Sequence, residues 1–143
     1  MAIKNILVAF DGSPNSSRAF RFALDLAKAA KGEEKVHVIS VVKPPEPAEM
    51  VMRDMEPIIE FGTKHYEGLF GKLRAMAGEL GIQLETQVPV GYPADQIIQY
   101  AIAQKCELIV MGRLGNSKIE RWLLGSVAKQ VSFHAPCAVT IVP

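Results

Sequence analysis

Five short apolar runs rich in β-branched residues recur along the chain: "IKNILVAF" (3–10), "KVHVISVV" (35–42), "QLETQVPV" (83–90), "ELIVMG" (107–112) and "CAVTIVP" (137–143). Turn-forming residues bound each run, and each predicts a strand. The segments between them carry helical spacing instead. "SPNSSRAFRFALDLAKAAKG" (13–32) opens on Ser-Pro and closes on Gly32, with Ser13 or Ser16 available as a cap and Ala23, Leu26, Ala27 and Ala30 on the expected inner face.

The proline-rich "KPPEPAEM" (43–50) reads as a connector, after which a long helix is predicted from about Met55 or Pro57 to Glu79, closing at Gly81. Gly68, Gly71 and Gly78 fall inside it, each weakening it by roughly 1 kcal/mol relative to Ala. "PADQIIQYAIAQK" (93–105) predicts a short helix with Pro93 at its first position, and "RWLLGSVAKQVSFH" (121–134) the last, ended by Pro136. Strands and helices thus alternate, and the strands are apolar enough to be covered on both faces. This predicts a single-domain α/β fold over residues 1–143, a doubly wound parallel sheet of five strands. Ligands bind such sheets beyond the carboxyl ends of the strands, where strand order reverses.

Composition narrows the function. Sixteen Lys and Arg stand against fifteen Asp and Glu, and the 143 residues contain no basic, aromatic-interleaved stretch, so no nucleic-acid partner is expected. No apolar run approaches the ~18 residues of a membrane span, and the amino terminus lacks a cleavage pattern, so no membrane partner is expected and the simplest location is cytoplasmic. Cys106 and Cys137 form no CxxC, and His37, His65 and His134 are scattered, so neither a metal site nor a catalytic histidine is assigned.

The chemistry lies after the strands. Asp11 follows the first, where its carboxylate can meet a ribose, a metal-bound water or a base amine, or cap the next helix. After the fourth strand come Gly112, two residues, Gly115, nine residues, Gly125 and Ser126. Glycine at 112 and 115 allows positive φ and close backbone approach to an anion. Gly125 and Ser126 stand near the start of the last helix, whose unpaired N–H groups and dipole favour a phosphate. Neither GxGxxG nor GxxxxGK[ST] occurs.

This G-x2-G-x9-G-[S/T] spacing, with "NILVAFDGSPNS" before it and "LLGSVAKQV" and "APCAVTIVP" after it, resembles the universal stress protein family, in its UspA-like subgroup with an ATP-binding motif. The resemblance implies an adenine nucleotide alpha hydrolase-like sheet of order 3-2-1-4-5, with Asp11 and the glycine loop flanking the reversal between strands one and four. It implies that Asp11 borders the nucleotide, that Val41 offers backbone hydrogen bonds to adenine, and that Gly112, Gly115, Gly125 and Ser126 hold ribose and phosphates beside Val127. ATP with Mg2+ is the implied ligand, AMP and ADP being further candidates, and the implied partner is a second copy paired through the C-terminal strand. The chain departs from the family in having Arg113 and Leu114 between the first glycines, where a small and then a basic residue are frequent, and in "PCAV" for "CPV". Lys118, Arg121 and Lys129 are read as surface charges, Lys118 or Arg121 being a candidate to assist a phosphate, and Trp122 as a packing residue.

An enzyme is not expected. The first strand lacks the paired aspartate of a phosphatase, since Ala9 stands two before Asp11, and "DGSPNS" lacks the second glycine of a pyrophosphatase loop. No nucleophile–base pair emerges elsewhere. The alternatives are a nucleotide-independent dimeric scaffold and a slow ATP hydrolase.

Overall fold

The computed structural model describes residues 3–30, 33–45, 52–114 and 123–143. Along the chain run β1 (Asn5–Ala9), α1 (Pro14–Ala29), β2 (Lys35–Ile39), α2 (Met52–Glu79), β3 (Gln83–Gln87), α3 (Pro93–Ala103), β4 (Leu108–Gly112), α4 (Ser126–His134) and β5 (Ala138–Val142). All strands pair in parallel, in the order β3-β2-β1-β4-β5. The order therefore reverses at β1, whose neighbours are β2 and β4.

The two-residue period of the strands splits the core in two. Ile6, Val8, Val36, Val38 and Val110 face α1 and α2, packing on Phe20, Ala23, Phe70 and Leu73. Leu7, Ile39, Ile109 and Met111 face α3 and α4, packing on Ile97, Ala101, Ala128 and Val131. Burial on both faces holds for β1, β2 and β4 but not for the edge strands β3 and β5, which are only partly covered.

Helix phases and ends differ from expectation in three places. In α1 the buried face is Ser16, Ala19, Phe20, Ala23, Leu24 and Ala27, while Leu26 and Ala30 face solvent. The large side chains of Phe20 and Leu24 set the rotation of the helix, and the alanines follow them. Helix α2 begins earlier than predicted, at Met52, and carries Pro57 in its second turn. Helix α4 begins later, at Ser126, so that Leu123 and Leu124 precede it, with Gly125 as its N-cap. Gly32 and most of the 43–50 connector lie outside the described residues.

The end of α2 follows the glycine expectation. Gly81 has φ +67°, its N–H donates to Gly78 O at 3.1 Å and Ile82 N–H donates to Ala77 O at 3.0 Å, the paired bonds of a Schellman cap. At the same, amino end of the sheet, Glu107 receives Lys4 N–H on Oε2 (2.9 Å) and Asn5 N–H on Oε1 (3.0 Å), fastening the start of β1 to β4.

One polar group crosses the α3-side core. His37 on β2, 1 % exposed, has Nε2 at 3.0 Å from Asn5 Oδ1 and Nδ1 at 2.7 Å from the Tyr100 hydroxyl on α3. Asn5 Oδ1 accepts from Nε2–H and Nδ1 accepts from Tyr100, so the neutral ring satisfies both partners. Burial lowers the His37 pKa below its ordinary 6.5; Glu85 opposes that shift and Lys35 adds to it. Burial, reinforced by Glu85, also pushes the Tyr100 phenol up to about 12.

Two outcomes are expected. A Cβ at Gly71 would meet nothing within 4 Å, so Gly71→Ala should raise the unfolding free energy by about 0.5–1 kcal/mol, read from urea midpoints. Because the His37 pKa is depressed on folding, the unfolded chain binds the extra proton first. Stability should be full above pH 6.5 and decline as pH falls from there toward the folded-state value. Urea midpoints on either side of pH 6.5 measure this, and His37→Gln should flatten the difference.

Candidate functional site

A cleft of about 520 Å³ opens at the carboxyl ends of β1, β2 and β4, where the strand order reverses. Asp11, Val41, Gly112, Gly125, Ser126 and Val127 all line it. Gly115 lies outside the described residues, as do Lys118, Arg121 and Trp122.

On one side β1 gives way to the turn that starts α1. Gly12 takes φ +84°, and Asp11 Oδ1 accepts the Ser13 N–H at 2.9 Å. Ser13 is the N-cap, its hydroxyl oxygen accepting Ser16 N–H at 3.2 Å. The Ser16 hydroxyl donates to Ser13 O at 2.9 Å and accepts from Asp11 N–H at 3.3 Å. Asp11 therefore braces the approach to the helix through the Ser13 N–H while lining the cleft, and the helix cap that the sequence allowed Asp11 to form is supplied by Ser13 instead.

The end of β2 presents backbone. Ser40 N–H and Val42 N–H turn toward the β3 side, donating to Gln87 O (3.0 Å) and Pro89 O (2.9 Å), and Val42 O accepts Gly91 N–H at 3.0 Å. Alternation points the amide groups of Val41 the other way, toward β1. There the ladder has ended: Phe10 N–H reaches Ile39 O at 3.0 Å, and Phe10 O is taken at 2.6 Å by the buried hydroxyl of Ser40. Among the described residues the N–H and C=O of Val41 make no hydrogen bond, and Val41 lines the cleft.

On the far side Gly112 and Gly125 are held by contacts within the fold. Gly112 does not adopt positive φ; a Cβ there would stand 2.7 Å from Asn15 Cβ and 2.9 Å from Asn15 C. Its lack of a side chain admits the first turn of α1 against β4. Gly125 has φ −59°, and its N–H donates to Arg113 O at 2.9 Å. Arg113 in turn donates from Nη1 to Leu123 O at 2.9 Å and from its own N–H to Val142 O at 2.8 Å. Arg113 thus ties β4, β5 and the approach to α4 together. Gly125 has no side chain to cap the helix, so the N–H groups of Ser126, Val127 and Ala128, all lining residues, have no intrahelical partner.

The fourth wall went unread in the sequence. Ile58, Phe61, Gly62, His65 and Tyr66 of α2 line the cleft, spaced i, i+3, i+4, i+7, i+8 along one helix face. A Cβ on Gly62 would meet Val42 Cγ1 at 3.0 Å, so the absent side chain lets α2 lie close over the end of β2. Helical spacing could have grouped these residues, but it carries no sign of which part of a 28-residue helix covers a site. Lys43 also lines the cleft, its Nζ 5.9 Å from the centroid of the Tyr92 ring. Burial raises the Tyr66 pKa, and the negative charge of Asp11 raises it further. Among the described residues no group of three or more His, Cys, Asp or Glu could hold a metal ion, and no helix is long and apolar enough to cross a membrane.

The same arrangement of strands and helices occurs in known proteins. The chain matches the universal stress protein family over residues 2–143. It is 36% identical over 143 residues to universal stress protein MJ0531 of Methanocaldococcus jannaschii, covering 97% of this chain and 81% of that one. Among solved structures, universal stress protein UspA from Lactobacillus plantarum superposes with a TM-score of 0.83 at 24% identity, over 100% of this chain and 99% of the other. A universal stress protein in complex with cAMP superposes with a TM-score of 0.75 at 27% identity, over 100% and 99%. With residues 2–143 matched by the family and its sheet in the order 3-2-1-4-5, the chain belongs to the universal stress protein family.

Proposed function

We propose that the cleft binds an adenine nucleotide, ATP with Mg2+ foremost, and that the protein acts by binding rather than by catalysis. The observation that carries this reading is the unpaired backbone of Val41. Its N–H and C=O offer one donor and one acceptor side by side at the edge of an apolar slot formed by Ile39, Pro93, Ile97 and Met111. Adenine presents the complementary pair, an acceptor at N1 and a donor at N6. Guanine presents the reverse and would leave both groups mismatched, at a cost of about 1–3 kcal/mol for each unsatisfied partner.

Across the cleft, the three unpartnered N–H groups of α4 and the Ser126 hydroxyl suit a phosphate. Asp11 lies between these two ends, within reach of the sugar or of a magnesium-bound water. The relative in complex with cAMP lends the same ligand class. The glycine at 115 is proposed to extend the phosphate cradle, as the family's spacing implies. The partly covered edge strand β5 is proposed as the pairing surface of a homodimer that responds to nucleotide, and equilibrium sedimentation with and without ATP tests it.

Titration calorimetry should give heat with ATP and Mg2+ and none with GTP at the same concentrations; no heat with ATP overturns the reading. A sharper test is Ser126→Pro. Proline suits the first helical position, and Gly125 already has the extended conformation (φ −59°, ψ 154°) that a following proline requires. The variant should fold normally while losing one N–H and one hydroxyl, weakening ATP binding roughly ten-fold or more. Multiple-turnover ADP production that disappears in Asp11→Ala would instead favour a hydrolase.

A further inference from the structure

Helix α2 does two jobs along its length. Its carboxyl half, with Phe70, Leu73 and Ala77, is buried in the core, whereas the face from Ile58 to Tyr66 overhangs the cleft. The junction falls beside the β1 turn: a Cβ on Gly12 would meet Leu69 Cδ1 at 3.2 Å. The helical turn containing Tyr66 and Leu69 therefore lies directly alongside Asp11 and Gly12. Tyr66 packs its ring on the core cluster that contains Phe10, next to Asp11 in sequence. The His65 ring is 5.3 Å away, centroid to centroid.

The ring of Tyr66 is thus held while its hydroxyl is unused. Among the described residues that hydroxyl makes no hydrogen bond, in contrast to Tyr100, whose hydroxyl is engaged by His37. A part-buried phenol whose oxygen lacks a protein partner is at its best when a ligand supplies one. The nearby Asp11 carboxylate is oriented by Ser13 N–H and acts only as an acceptor, whereas a phenol both donates and accepts. Two adjacent hydroxyls are the ligand chemistry that such a pair fits.

Resting on the nucleotide reading above, we propose that Tyr66 and Asp11 together read the 2′,3′-diol of the sugar, making the cleft selective for ribonucleotides. Asp11 accepts from one hydroxyl and Tyr66 hydrogen-bonds the other, while Val41 holds the base. Tyr66 is then a specificity residue on an element where the sequence motif places none.

The test is calorimetry of ATP and 2′,3′-dideoxy-ATP on the wild type and on Tyr66→Phe, which keeps the packed ring. The wild type should prefer ATP. In Tyr66→Phe the affinity for ATP should fall about three- to ten-fold while that for the dideoxy nucleotide stays the same, so that the preference shrinks by that factor. Equal weakening toward both nucleotides would mean that Tyr66 only shapes the wall, and overturns the proposal. So would unchanged ATP affinity in the variant, or a wild type that binds the two nucleotides equally well; in each of these cases nucleotide binding itself still stands. A wild type that binds neither nucleotide removes the nucleotide reading and this proposal with it.

Discussion

The buried hydroxyl of Ser40, 1 % exposed and 2.6 Å from Phe10 O, closes the hydrogen-bond ladder between β1 and β2 at the point where β1 turns away. A carbonyl at this depth needs a donor, and in a continuing ladder the next amide of β2 would supply it. Because a side chain supplies it instead, the N–H and C=O of Val41 remain outside the sheet. The cleft depends on this substitution, together with the Asp11–Ser13–Ser16 network that bends the chain into α1 within a few residues.

The remaining walls are brought close by missing side chains. Gly112 admits the first turn of α1 against β4, Gly62 lets α2 approach Val42, and Gly12 accepts Leu69 beside Asp11. Each close approach narrows the space between elements that strand order alone would leave further apart. Arg113 holds the opposite wall: its backbone and guanidinium link β5 to the segment that leads into α4, which fixes where the helix and its open N–H groups begin. Arg113, one of the two departures from the family's usual residues between the first glycines, is thus engaged in the scaffold.

Much of the site was legible. Asp11, Val41, Gly112, Gly125, Ser126 and Val127 converge on one cleft because each follows a strand that ends at the same edge of a parallel sheet, a consequence of topology that alternating β and α patterns already imply. The physical purpose of the glycines was not legible. Glycine at 112 was read as allowing positive φ and close approach to an anion, but the neighbour that excludes a Cβ is Asn15, almost a hundred residues earlier, and only tertiary contact reveals it. The same holds for α1, where of the expected face Ala23, Leu26, Ala27 and Ala30 only Ala23 and Ala27 are buried, beside the bulk of Phe20 and Leu24.

By itself the sequence determined the alternation of strands and helices and the apolar runs that become the strands, since these follow from periodicity, turn chemistry and helix caps, which are local. Tertiary structure alone decided which groups line the cleft from α2 and which backbone amides are left over at Val41. Those depend on where a long helix crosses a strand end and on which neighbour completes a ladder, and neither distance along the chain nor residue type encodes such contacts. Tyr66 belongs to this second kind: an ordinary tyrosine in a helix until the fold sets it beside Asp11.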